Sequence, residues 1–223
     1  MNTVSKPSPA TPKKWLRVGG TILVVAALWI LFPPFGIVSL DEDGKIPSQS
    51  NAEVFDPTAF VETFWKGKLE PRFESATKVT VLVEALSDDL AGAVETYGIR
   101  QGDVGPAYFL TQGEATIVAL KGRRATLAIG KSEVNLLIAP PVFGNTVRDG
   151  TGLLNLNDFP GLEEFNAVSA TLNHKVETEV MQTLGGNLEV GTRLRFVGCG
   201  KAPSSLGDGP IAEFIPLFVE VVQ

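Results

Sequence analysis

The sequence predicts an α+β protein: an N-terminal transmembrane helix, a small helical subdomain, and an antiparallel β-barrel domain carrying one long inserted helix. Three observations predict it. No charged side chain occurs from Val18 to Leu40, apolar residues then recur at helical spacing as far as Gly98, and beyond it short apolar runs are separated by glycine. With 223 residues, 44% of them hydrophobic and 20% charged, the chain can bury a core without disulfides and is too ordinary in composition for wholesale disorder.

Residues 1–17 form a basic tail. Lys6, Lys13, Lys14 and Arg17 stand unopposed, because the first acid is Asp41. The apolar stretch 18–40 is the predicted membrane anchor, with Trp15 and Trp29 as amphipathic neighbours and Pro33-Pro34 breaking the helix. The basic flank belongs in the cytoplasm and Asp41, Glu42 and Asp43 outside, so the expected location is the bacterial inner membrane, single-pass, with the C-terminal domain in the periplasm. A cleaved secretory signal is the competing reading and exports the same body. A buried core helix fits the basic flank less well.

Four of the nineteen Lys and Arg residues lie in that tail, which leaves fifteen against twenty-five Asp and Glu from residue 18 onward. Such a surface repels phosphate backbones, and no nucleic-acid partner is expected. The one compact basic cluster, Lys121, Arg123 and Arg124, reads as a hairpin turn.

Residues 41–54 are polar and breaker-rich, a juxtamembrane linker. The helical subdomain follows at 55–98. Asp56 before Pro57 is an N-cap and N1 pair, Phe60, Val61, Phe64 and Trp65 share a face, and Pro71 is expected to end this helix. Thr77 to Leu86 is ambiguous: Val79, Val81 and Val83 alternate as in a strand, while Val79, Leu82, Val83 and Leu86 make a helical stripe. Ser87-Asp88-Asp89 caps a further helix, which closes at Gly98.

The barrel domain is 99–223. Its predicted strands are 107–111, 114–121, 124–130, 133–139, 153–156, 193–199 and 214–221. One long helix interrupts them, with Leu162, Phe165, Val168, Leu172, Val176, Val180 and Leu184 on its apolar face and Glu163, Glu164, Lys175 and Glu179 elsewhere on the wheel. Gly185-Gly186 stops it. A helix set between the strands of a small barrel is an OB-like arrangement.

One cysteine and one histidine exclude the common zinc sites, and no cofactor is expected. A nucleophile elbow is absent, and Ser75-Ala76-Thr77-Lys78 lacks the partner motifs of penicillin-recognising enzymes. His174 reads as a solvated helix residue and Cys199 as a small buried side chain. One polar constellation survives: Asn145, Arg148 and Asp149 in the loop after Pro140-Pro141, Asn155, Asn157 and Asp158 further on, and Asn166 and Asn173 two turns apart on the long helix. Amides, carboxylates and a guanidinium suit sugar hydroxyls or a carboxylate, although the same residue types also build turns and pin loops.

The stretch Ala139-Pro140-Pro141-Val142-Phe143-Gly144-Asn145-Thr146-Val147-Arg148-Asp149-Gly150, with Asn157-Asp158-Phe159 and Ala170-Thr171-Leu172-Asn173, resembles a bacterial domain-of-unknown-function family of predicted periplasmic lipoproteins (the DUF 2291 family). Phe64-Trp65, Leu69-Glu70-Pro71, Tyr97-Gly98-Ile99-Arg100 and Gly113 to Val118 extend the resemblance over roughly residues 54–222. It implies export, a helical subdomain joined to an OB-like barrel, and an accessory or binding role in sugar-type ABC uptake. The expected partners are therefore the inner membrane and an ABC transporter component or small sugar-like solute. The chain departs from the family in lacking a lipobox cysteine, so a signal anchor takes the place of lipid. Ala139 stands where the family has Gly, and Pro160-Gly161-Leu162 replaces a more polar element. The expected function is a non-enzymatic, membrane-tethered module. Its rivals are an envelope scaffold docking through Phe143, Phe159 or Phe214, and a glycoside-active enzyme using Asp149 and Asp158.

Overall fold

Helix α1, Pro57–Phe64, starts where predicted, since the Asp56 carboxylate accepts the amide N–H groups of Thr58 at 2.8 Å and Ala59 at 3.2 Å. The computed structural model describes residues 55–102, 105–184, 188–207 and 210–222. The predicted tail, anchor and linker lie outside them, as does the Gly185-Gly186 stop. Among the described residues no helix is long and apolar enough to cross a membrane.

Pro71 does not end the first helix. A π-helical turn, Trp65–Leu69, follows α1, and the Glu70 N–H reaches back five residues to Trp65 O. Pro71 then sits in the first turn of α2, Glu70–Arg72, where its missing N–H is tolerated. The ambiguous stretch resolves as a two-residue strand β1, Thr77–Lys78, and helix α3, Val79–Asp88, which buries Val79, Leu82, Val83 and Leu86 while Val81 stays exposed. Asp89 caps α4, Leu90–Tyr97, accepting the Ala91 N–H at 3.1 Å.

Strand β2, Ile99–Arg100, precedes the sheet proper: β3 Ala107–Lys121, β4 Arg124–Ile129, β5 Ser132–Leu137, β6 Arg193–Lys201 and β7 Glu213–Val222. The first two predicted strands are one long strand, because Gln112-Gly113 runs on in extended form. A side chain at Gly113 would collide with Val79, so the glycine lets α3 pack against β3. Gly122, at φ 59°, makes the predicted hairpin turn between β3 and β4. Residues 153–156 are not a strand. They lead into a 3₁₀ turn, Leu156–Asp158, held by reciprocal capping between Asn155 and Asp158.

Pairing runs β3–β4–β5–β7–β6, with β6 also pairing β3 over nine residue pairs. The result is a strongly curved OB-like sheet and not a uniform antiparallel barrel. β5 meets β7 in parallel over only two residue pairs, and β1 adds to β3 in parallel. The inserted segment comprises a short helix α5, Thr146–Gly150, where a loop was expected, and the long helix α6, Leu162–Lys175, which continues as a π turn Val176–Val180 and a 3₁₀ turn Met181–Leu184.

One hydrophobic core joins the helical section to the sheet, and residues from Val54 onward form one compact unit. Phe109, Ile117, Leu127, Leu136, Phe196 and Phe214 come from the strands, and Leu69, Leu82, Leu86 and Leu172 from the helices. Lys175, expected on the polar side of its helix, is buried. Its ammonium bonds Glu62 at 2.6 Å and Glu179 at 2.6 Å, above the Trp65 ring.

Candidate functional site

Helix α5 lies against the sheet because Gly150 permits it: a Cβ there would meet the Cβ and Sγ of Cys199 on β6 at 2.9 Å each. This close approach carries Arg148 and Asp149 inward, to 6% and 3% exposure. Burying both charges requires that they pair, and Arg148 Nε lies 2.7 Å from Asp149 Oδ1. The remaining guanidinium contacts fix α5 to α6. Arg148 Nη1 donates to Phe165 O at 3.3 Å and to Asn166 Oδ1 at 3.1 Å, and the guanidinium carbon stands 3.6 Å from the centre of the Phe165 ring. Asp149 also accepts from the Asn145 side-chain amide. Burial raises the pKa of Tyr108, and the neighbouring Asp149 carboxylate raises it further.

Above this buried layer is a cleft of about 530 Å³ between the Val142–Asn145 segment and α6. Asn145, Asn166, Ser169, Asn173, His174 and Glu177 provide its polar lining, and Phe143, 73% exposed, stands at its edge. Its wall is held by three side chains. Ser169 Oγ and Asn173 Nδ2 donate to Gly144 O at 3.1 and 2.7 Å, and Glu177 Oε1 accepts the Val142 N–H at 2.5 Å. Asn173 is 8% exposed, and its Oδ1 is buried with no hydrogen-bond partner. An unpaired buried amide oxygen costs about 1–3 kcal/mol. Gly144 O is an acceptor, so the amide cannot turn over to relieve it.

Of the residues singled out from sequence, the fold therefore brings Asn145, Asn166 and Asn173 to one cleft. Arg148 and Asp149 lie beneath it and brace its walls, so the guanidinium is not a ligand-facing group. Asn157 and Asp158 are elsewhere, exposed on the 3₁₀ turn. There the Asn157 N–H donates to Asn155 Oδ1, and Asp158 Oδ2 accepts the Asn155 N–H. No described cleft is lined by both Asp149 and Asp158, and the first is ion-paired, which removes the geometric basis for a two-carboxylate glycosidase. Of the proposed docking aromatics, Phe159 and Phe214 are buried and Phe143 alone is exposed. His174 and Glu177 were missed as cleft residues. Their spacing from Asn173 and Asn166 on one helix face is the signal that could have placed them.

Cys199 is fully buried in β6 and desolvation holds its thiol well above the ordinary range, as expected of a core residue. Among the described residues no cluster of three or more His, Cys, Asp or Glu side chains could hold a metal ion.

The family model described as predicted periplasmic lipoprotein (DUF2291) matches residues 23–219. The chain belongs to this family. Among solved structures, this DUF2291 chain is similar to an OB-fold protein from Thermotoga maritima MSB8, with a TM-score of 0.66 and 23% identity over 76% of this chain and 100% of that one. At that identity the likeness concerns the fold alone. No curated protein gives a significant match to the chain.

Proposed function

We propose that the protein is a non-enzymatic periplasmic module, tethered to the inner membrane, that holds a small polar solute in the Asn145–Asn166–Asn173 cleft as an accessory to sugar-type ABC uptake. The observation that carries this reading is the open, amide-lined cleft itself, whose wall includes Asn173 with its buried, unpartnered Oδ1. A braced pocket wall supports it too: Arg148, Asp149, Ser169 and Glu177 each hold backbone or a neighbouring side chain in position. Tethering by the 18–40 segment is part of the proposal, because the single cysteine, Cys199, lies in a core strand and cannot carry a lipid.

Calorimetric titration of the full chain with simple sugars, wild type against Asn173→Ala, tests the cleft. Crosslinking and co-purification from native membranes test the partner, with recovery of an uptake permease expected. A scaffold role is the second reading, and the exposed ring of Phe143 favours it. It predicts partner capture that depends on Phe143 and no calorimetric response to solutes.

A further inference from the structure

We infer that the cleft selects against an anionic solute, taking a protonated amine ahead of a neutral hydroxyl compound and both ahead of an acid. This rests on the solute-binding reading above and names its chemistry.

The argument is an inventory of which polar atoms the protein has already engaged. Asn145 gives its amide N–H to Asp149, Ser169 gives its hydroxyl to Gly144 O, and Asn173 gives its amide N–H to the same carbonyl. Each partner can only accept, which fixes the orientation of both amides. Each amide keeps a second N–H, so hydrogen bonding leaves both donors and acceptors in the lining. Among the described hydrogen bonds none engages Asn145 Oδ1 or the second carboxylate oxygen of Glu177, whereas the unpartnered Asn173 Oδ1 is buried in the wall. Asn166 Oδ1 accepts from Arg148. His174 can serve either way.

Charge sets the preference. Glu177 is the one carboxylate in the lining, and no Lys or Arg shares it. The nearest guanidinium, Arg148, lies buried below with its charge opposed by Asp149. An anion entering this cleft would meet the Glu177 carboxylate with no cation in the lining to balance it. An ammonium would find charge-assisted bonds, with the Phe143 ring beside the entrance.

Three sugars of one ring size test this without any assumption about the natural solute. The full chain is titrated calorimetrically at pH 7 with D-glucosamine, D-glucose and D-glucuronate. Glucosamine is expected to bind tightest and to exceed glucuronate by about tenfold or more, with glucose between them. Glu177→Gln, which retains an acceptor for the Val142 N–H, is expected to narrow the ratio of glucosamine to glucose. Glucuronate binding as tightly as glucosamine overturns the selectivity while leaving the solute-binding reading intact. No binding of any of the three overturns both.

Discussion

Arg148 and Phe165 meet twice: the guanidinium carbon stacks 3.6 Å from the ring centre, and Nη1 donates to the Phe165 carbonyl at 3.3 Å. One side chain thus ties α5 to α6 by its face and by its edge, while Nε holds the buried Asp149. Truncation to Ala removes the stack, the interhelical bond and the partner of a buried charge. Arg148→Ala is expected to cost about 3–5 kcal/mol in chemical denaturation. A loss below about 1 kcal/mol, the scale of an exposed pair, would show that Arg148 does not brace the cleft.

Asn173 makes a different prediction, because one half of its amide supports the wall and the other half is free. Asn173→Ala loses the 2.7 Å bond to Gly144 O but also the buried unpartnered oxygen, so the two effects offset and the stability change is expected to stay within about 1 kcal/mol. Affinity for a sugar is expected to fall about tenfold. A variant with wild-type affinity would exclude Asn173 from the site.

The packing of α5 on the sheet depends on the absence of a side chain at position 150. Gly150→Ala places a methyl 2.9 Å from two atoms of Cys199, and overpacking of this kind costs about 1–3 kcal/mol. The melting temperature should drop accordingly. An unchanged melting temperature would show that α5 lies farther from β6.

Lys175 gives a pH dependence. Burial disfavours its ammonium, but the hydrogen bonds it donates to Glu179 and Glu62 outweigh that and the folded pKa is raised. A raised pKa contributes stability that is fully present below the unfolded lysine value, about 10.4, and lost as pH rises through the folded value. Glu62 behaves in the opposite sense. The hydrogen bond from Lys175 lowers its pKa, so its contribution is present above the unfolded carboxylate range and lost as pH falls. Lys175→Met should flatten both limbs of a stability–pH curve. Limbs as steep as those of the wild type would refute the coupling.

Much of the fold was readable because apolar residues report their own burial. The stripe Phe165, Val168, Leu172, Val176 and Val180 placed the long helix, although Leu162 at its start is exposed, and the Asp56 and Asp89 caps marked the starts of two others. Misreadings arose where a polar letter or a tertiary contact decided the outcome. Lys175 is buried because carboxylates from two elements converge on it, which no local pattern records. Leu153 to Leu156 is a short, mostly apolar run that reads as a strand, yet the mutual capping of Asn155 and Asp158 turns the chain. Asn145, Asn166 and Asn173, grouped from their letters, do line one cleft. Arg148 misled because a guanidinium reads alike whether it faces a ligand or a buried carboxylate.

The central claim is that the three asparagines share one solute-binding cleft, and the most direct measurement is nuclear magnetic resonance of their side-chain amides during titration with glucose. The account predicts saturable shifts at Asn145, Asn166 and Asn173 and none at the distant Asn157. Shifts confined to Asn157, or none at any of the three, would contradict it.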